Sequence, residues 1–419
     1  MIAVAVASAI VLLLALRQQL YLVLASTAVL LYLAFGGGRP ADVIQDLFSS
    51  VDQDILLSVP LFVLAGSIMS HGSIARRLIR LAVAVTAPVP GGLAVAAVLS
   101  CAMFAAISGS STVTLLAVGP VLYPALQKNG YTKSFSLGLL AASGTLGIII
   151  PPSIPLILYG ISTHTSIIDL FLAGIGPGLL LAALIMAYAM IRNSASAQGR
   201  WEVAEIAAAS RSAVFSLAMP VIILGGIYSG HFTATESAAI SVVYAIAIEL
   251  FVHRDIAFGE LRNALTQTVI LAGTLIPLLG LALSVNVFMT MERVPQTLVE
   301  LIGGYIDSRF TFIVAATLML LLVGCFMEIT PAVLIMAPLL TPMAVSYGVD
   351  PVHFGIMMIV NLEIGYLTPP MGLNLFVAMT AFDETFAVVA RAAVPFILVL
   401  LAGLALVSLW PEVSLFLIR

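Results

Sequence analysis

The stretch Gly144-Thr-Leu-Gly-Ile-Ile-Ile-Pro-Pro152 constrains this chain more than any other. It lies in an apolar run too long for a core strand. Two successive prolines remove two backbone donors and clash with the preceding turn, and two glycines weaken that turn. A helix must part there. In hydrocarbon, unpaired backbone is tolerated only where protein buries it or where it lines a polar cavity. The surroundings do read as hydrocarbon, because 62% of the 419 residues are hydrophobic and 9% charged, against roughly 25% charged in a soluble domain. The same break recurs at Leu362-Glu-Ile-Gly-Tyr-Leu-Thr-Pro-Pro370. A discontinuous membrane helix that occurs twice points to a transport site.

The remaining apolar runs divide the chain into crossings of about 20 residues each. Runs at 1–16 and 20–35 flank Arg17, and the second ends in Gly36-Gly-Gly-Arg-Pro40. The first lacks a basic start and a small-residue cleavage site, so it reads as a retained helix. A more polar segment at 41–53 belongs at the interface, and a third crossing at 54–70 ends at Arg76, Arg77 and Arg80. From 86 to 126 the apolar sequence is interrupted by Ile107-Ser-Gly-Ser-Ser-Thr-Val-Thr114, with basic residues beyond both ends. That pattern predicts a re-entrant hairpin that enters and leaves by one face. Crossings follow at 168–191, 213–229 and 235–252, then a long helix at 260–290 and an interfacial segment at 291–310. An interrupted pair of arms at 311–345, a broken helix at 353–381 and a last crossing at 392–410 complete the chain.

The second half repeats the first. A shift of 218 positions lays Pro151 and Pro152 on Pro369 and Pro370 without a gap, and brings Gly147 onto Gly365, Gly130 onto Gly348, Pro124 onto Pro342 and Pro120 onto Pro338. What agrees is the set of residues that shape backbone, which is what a structural repeat keeps. With both interrupted segments taken as re-entrant and the N-terminus outside, only Arg39, Arg293, Arg309 and Arg419 of the 16 Lys and Arg residues fall outside. This positive-inside bias puts the two hairpins on opposite sides of the membrane, so the repeat is inverted. The fold class expected is therefore an all-α polytopic membrane protein, with an inverted repeat of two re-entrant helical hairpins and two discontinuous helices.

A small cation crossing hydrocarbon needs oxygens in place of its water shell, and unwound carbonyls supply them without added charge. Ser108, Ser110 and Ser111 at the hairpin tip offer carbonyls and hydroxyls; Gly144, Thr145, Gly147 and Ile150 offer carbonyls freed by Pro151 and Pro152. The counterparts are the region Phe326 to Thr330, which contains Glu328, with Gly365, Thr368, Pro370 and Met371. Half-helix N-termini at the same places present amide donors to an anionic substrate. Ser111, Thr112, Thr145, Asn361 and Asn374 are the expected lining of a substrate cavity, although interhelical hydrogen bonding is the simpler role for the two asparagines. Small residues at 107–114 also let helices approach closely. Glu328 and Glu363 are ionisable groups in apolar segments, open to ion binding, proton carriage or a structural role.

Other chemistries are excluded or unsupported. The net charge of −4 argues against nucleic acid as a partner. Cys101 and Cys325 lie in apolar segments and support neither a disulfide framework nor a zinc site. There is no Gly-rich phosphate loop, so the chain does not itself hydrolyse ATP. No Ser-His or paired-Asp constellation supports an intramembrane enzyme, no organic cofactor is expected, and a purely structural scaffold would leave two costly helix breaks without purpose.

These residues resemble the large membrane (M) subunit of tripartite ATP-independent periplasmic, or TRAP, transporters. The likeness rests on Pro60-Leu-Phe-Val-Leu-Ala-Gly66, Ile107-Ser-Gly-Ser-Ser111, Gly144 to Pro155, Leu170-Phe-Leu-Ala-Gly-Ile-Gly-Pro-Gly178, Pro220 to Tyr228, Asp350-Pro-Val-His-Phe-Gly355 and Asn361 to Phe376. It implies an elevator-type importer of the bacterial inner membrane, in which Na⁺ drives uptake of an organic acid. A periplasmic binding (P) protein would deliver the acid, and a small membrane (Q) subunit would buttress the scaffold. One sodium site would then use Ser108, Ser110, Gly144, Gly147, Ile150 and Pro152; the other would use Gly365, Thr368, Pro370 and Met371 with Phe326 and Glu328. Scaffold helices are expected at 1–85 and 167–310, transport-domain halves at 86–166 and 311–390, and a C-terminal helix at 391–419. One departure is Ala234 in Thr233-Ala-Thr-Glu236, where the family usually has proline. The alternative within transport is a self-sufficient ion-coupled carrier of organic anions that needs no binding protein.

Overall fold

The structure, a computed structural model, describes residues 20–34, 40–193, 199–294 and 308–418, together with Thr297 and Ile306. The crossing expected at 1–16, the turn at Gly36 to Arg39 and much of the segment at 291–310 lie outside them. The described residues form helices joined by turns. Helices α1 (Leu20–Ala34), α2 (Pro40–Val51) and α3 (Ser58–His71, entered through a 3-10 turn) precede a short helix, α4 (Ile74–Thr86). The first hairpin is α5 (Gly92–Ser108) and α6 (Ser111–Lys128), and the first broken helix is α7 (Lys133–Gly144) and α8 (Ile154–Thr163). Then come α9 (Ile167–Arg192), α10 (Val203–Tyr228), α11 (Ala234–Ala247, ending in a π turn) and α12 (Phe258–Met291). The second hairpin is α13 (Arg309–Phe326) and α14 (Ile329–Ser346), the second broken helix is α15 (Pro351–Tyr366) and α16 (Leu373–Phe382), and α17 (Phe386–Leu409) and α18 (Glu412–Leu415) close the chain.

Eight segments among the described residues are long and apolar enough to cross a membrane. By length and composition α13 and α14 are among them, and the two-residue link Met327-Glu328 turns the chain back between them. Element bounds recur at the spacing of 218: α6 begins at Ser111 and ends at Lys128, α14 at Ile329 and Ser346, while α7 and α15 begin at Lys133 and Pro351.

Local chemistry sets the helix starts. The Ser110 and Ser153 hydroxyls accept from the amides of Val113 and Leu156, capping α6 and α8. Asp350 caps α15 through the amides of Val352 and His353, with Pro351 at the first helical position. Thr233 and Glu236 form a reciprocal capping box for α11. Ala234 is the first residue of that helix, where a proline's missing N–H would cost nothing and alanine serves equally.

Two elements differ from the sequence expectation. Arg76, Arg77 and Arg80 do not end a crossing; they lie on α4, a separate amphipathic helix whose Ile74, Leu78 and Ile79 are buried. The start of α4 is tied to α11 by Glu249, a fully buried carboxylate that accepts from the amides of Ser73 at 2.9 Å and Ile74 at 3.1 Å. A Cβ on Gly72 would sit 2.2 Å from the Glu249 carboxyl carbon, so only glycine admits that side chain. Beyond the π turn, the Ser73 hydroxyl and then the Arg77 guanidinium, 3.1 Å away, hold the Asp255 carboxyl below the usual range. α10 likewise starts ten residues before the expected 213, at Val203.

Packing crosses the two halves. The second piece of each broken helix lies against the other half's hairpin, α8 on α14 and α16 on α6. Tyr159 of α8, fully buried, donates to the Pro351 carbonyl at 2.7 Å and accepts from the Thr341 hydroxyl at 3.0 Å. On the other side the Tyr123 and Phe382 rings lie 4.8 Å apart, and Lys133 Nζ reaches Glu384 at 2.6 Å. The 34-residue α12 runs past α1, α2, α3 and α14.

Candidate functional site

The first break is a fitted joint. α7 stops at Gly144, well before the prolines; a 3-10 turn covers Thr145–Ile148, and α8 starts after the cis Pro151-Pro152 bond. The tip of the first hairpin fills the gap. A Cβ on Gly147 would stand 2.4 Å from the Ser110 carbonyl oxygen and 2.6 Å from Thr114 Oγ1. Gly109, with φ +61°, presses on the Pro152 carbonyl and accepts from the Ile154 amide at 3.4 Å. Gly144 meets Leu115 and the Ser111 carbonyl. Ser108 Oγ lies 2.7 Å from Thr114 Oγ1 and 3.3 Å from the Ser110 carbonyl. Ser108, Ser110, Gly144, Gly147 and Pro152 are thus gathered at one joint, and Thr114 joins them. Ile150 is half-buried, its side chain against Gly178 of α9.

The second break is looser on its outer side. Gly365 packs on Gly324 of α13, where a Cβ on either would meet the other's Cα at 3.0 Å or less, and the Gly372 amide donates to the Cys325 carbonyl at 3.3 Å. Thr368 Oγ1 bonds back to the Ile364 carbonyl at 2.7 Å. Phe326, Glu328, Pro370 and Met371 are exposed around this joint, so the first break is enclosed and the second open.

Between the two hairpin tips lies a cavity of about 290 Å³. Ser110, Ser111 and Thr112 line it from the first hairpin, Glu328 and Thr330 from the second, and Tyr366 from the end of α15. Leu271 and Leu275 of α12 form part of its apolar wall. Of the expected substrate-cavity residues, Ser111 and Thr112 belong to this lining, and Thr145, Asn361 and Asn374 do not. Thr145 is turned onto the Ala142 carbonyl, Asn361 donates to the Met357 carbonyl of its own helix, and Asn374 is buried with neither amide atom hydrogen-bonded. Thr330 closes the region Phe326 to Thr330 that the sequence points to, whereas Tyr366 is a lining residue that the sequence does not single out. Their signal was position: each adjoins a helix interruption, where side chains on the last or first turn reach the gap.

This arrangement presents hydroxyls, carbonyls and helix N-termini to a small polar solute inside an apolar shell, and comparison with known proteins agrees with it. The family profile described as "Tripartite ATP-independent periplasmic transporter, DctM component" matches residues 6–413. The chain belongs to that family. It is 41% identical over 372 residues to the C4-dicarboxylate TRAP transporter large permease protein of Pseudomonas aeruginosa, covering 88% of this chain and 87% of that one. It is 36% identical to the ectoine/5-hydroxyectoine TRAP transporter large permease protein of Ruegeria pomeroyi, with 90% and 89% covered. In fold it resembles the YdaH transporter of Alcanivorax borkumensis, at a TM-score of 0.60 and 15% identity over 89% of each chain. The chain is a TRAP transporter large permease subunit of the bacterial inner membrane, and its relatives are permeases.

Proposed function

We propose that the chain imports a small organic acid together with Na⁺, receiving the acid from a periplasmic binding protein and working with a small Q subunit. The observation that carries this reading is the cavity between the two hairpin tips, bordered by both broken helices. Its volume of about 290 Å³ suits a solute of a few carbons. Relatives named for C4-dicarboxylate, isethionate, ectoine and 2,3-diketo-L-gulonate support a small organic acid of this size.

Two sodium sites fit the joints. One uses Ser108, Ser110, Gly144, Gly147, Ile150 and Pro152, where carbonyls and hydroxyls converge without a charged side chain; the other uses Gly365, Thr368, Pro370 and Met371 with Phe326 and Glu328. Residues 86–166 and 311–390 form the mobile transport domain in an elevator motion, inverted with respect to each other, and the helices of 1–85 and 167–310 form the scaffold. The crossed packing of α8 on α14 and α16 on α6 supports moving these halves together. Uptake in proteoliposomes tests the proposal: labelled acid accumulates only with an inward Na⁺ gradient, the Q subunit and the binding protein. Equal uptake without the gradient or without the binding protein overturns it.

A further inference from the structure

Arg76, Arg77 and Arg80 share one side of α4, within about 100° of arc at 3.6 residues per turn. Ile74, Leu78 and Ile79 are buried on the other side. Together with Ser73, Ser212 of α10 and Asp255 beyond the π turn of α11, the three arginines line a pocket of about 280 Å³. Two ion pairs fix its walls. Arg77 donates to Asp255 at 3.1 Å and to the Ser73 hydroxyl at 3.0 Å, and Arg80 grips Glu205 of α10 through bonds of 2.8 and 3.0 Å. A guanidinium has five N–H groups, so both arginines keep donors to spare. Arg76 is exposed and forms no ion pair among the described residues, and the same holds for Arg211, next to Ser212, and Arg254, next to Asp255. Positive charge is left over.

The sign of that excess selects the ligand. Glu249, His253 and Asp255 bring donor atoms within 4.8 Å of one another, as a cation's ligands would be. Glu249, however, is committed to the Ser73 and Ile74 amides, and Arg77 lies on Asp255, so a cation would have to displace a guanidinium. The first amides of α4 are taken by the same glutamate, which leaves recognition to the arginine side chains. Their planar forks match a phosphate.

Position decides which phosphate. The crossings of α3 and α11 end at His71 and His253, close to the pocket in sequence. Ser212 stands where the charged start of α10, with Glu202, Glu205 and Arg211, gives way to its apolar run. This is headgroup level, and exposed Trp201, whose indole N–H donates to the Val85 carbonyl at 2.9 Å, is the residue type that favours it. Further along α10 and α11 the exposed side chains Phe215, Val221 and Val243 are apolar. A free phosphate has nothing to lay against that surface, whereas a phospholipid has its acyl chains.

We propose that this pocket binds the phosphate of one anionic phospholipid, held by Arg76, Arg77 and Arg80 with the Ser212 hydroxyl as a further donor, its chains lying along α10 and α11. The lipid bridges α4 to α10 and offsets the surplus charge. A zwitterionic headgroup would bring its own cation to the arginines and binds less well. The site is independent of what the chain transports.

Native mass spectrometry of the whole chain in detergent, titrated with phosphatidylglycerol, phosphatidylcholine and inorganic phosphate, tests the proposal. The first phosphatidylglycerol should be retained about fivefold more tightly than phosphatidylcholine, and Arg76→Gln should remove about that factor, the effect of one arginine beside an anionic headgroup. Arg262→Gln, the same loss of charge on exposed surface at the start of α12, should leave retention unchanged. Ser212→Trp, which fills the pocket and keeps every charge, should lower retention as R76Q does. Unfolding midpoints in detergent show which variants fold, and phosphatidylglycerol should raise the midpoint of the wild type and not that of R76Q. Equal retention of the two lipids, or equal losses in R76Q and R262Q, would mean attraction to a diffuse positive surface and overturns the site. Displacement of the lipid by inorganic phosphate overturns the lipid assignment, and undiminished retention by folded S212W overturns the pocket.

Discussion

Single atoms decide the first joint. Gly147 has no Cβ, and the space one would occupy already holds the Ser110 carbonyl and the Thr114 hydroxyl at 2.4 and 2.6 Å. The neighbour is backbone, so it cannot swing aside. Gly147→Ala is expected to push the hairpin tip away, costing about 1–3 kcal/mol as an overpacked core does. The unfolding midpoint in detergent checks it. If Gly147 also helps to wall a sodium site, the same variant weakens Na⁺ dependence of uptake by tenfold or more, whereas an unchanged sodium titration would remove it from that site. Gly130 makes a useful control, since nothing lies within 4 Å of the Cβ position, although its φ of +82° favours glycine on its own account.

Among elements, α4 shows how a tertiary contact can define a helix. Its start has no side-chain cap of its own, and the Glu249 carboxylate, 176 residues away from Ser73, supplies the acceptor. Glu249→Ala leaves two buried amides unpaired and is expected to cost about 2–4 kcal/mol. Thermal unfolding should show the loss, and hydrogen exchange should place it in α4 and the end of α11; a variant as stable as the parent would mean that the amides find other acceptors. The helix was hard to see in the sequence because three arginines at Arg76, Arg77 and Arg80 lower the local hydropathy, which masks the buried stripe of Ile74, Leu78 and Ile79. The broken helices were easier. Paired prolines and glycines override propensity wherever they occur, so the interruptions at 144–152 and 362–370 were legible from composition of the segment alone.

For the whole molecule, the proposed inversion of the two halves makes a prediction about sidedness. Once Cys101 and Cys325 are replaced, a single cysteine at Asn129, in the turn after α6, should react with a membrane-impermeant reagent only from the cytoplasmic side. One at Gly348, in the turn after α14 and equivalent to Gly130 beside Asn129, should react only from the periplasmic side. Labelling of both from one side would overturn the inversion, whatever the helix bounds.

The sequence by itself determined that the chain is a membrane protein, where its helices are interrupted, and which residues sit at those interruptions, because hydrocarbon and the missing amides of proline act locally and leave few alternatives. The near-coincidence of α13 at 309–326 and α14 at 329–346 with the expected arms at 311–345 reflects this. Only the tertiary structure decided which groups meet. The sequence named Ser108 and Gly147 as oxygens near two gaps, but the closeness of Gly147 to Thr114, the enclosure of the first break by Gly174 and Gly178 of α9, and the openness of the second depend on contacts between distant segments. The same holds for Asn361, which bonds inside its own helix and does not line the cavity. Where a side chain points across an interface is set by the neighbour's shape, and that shape is not written in the residue's own surroundings.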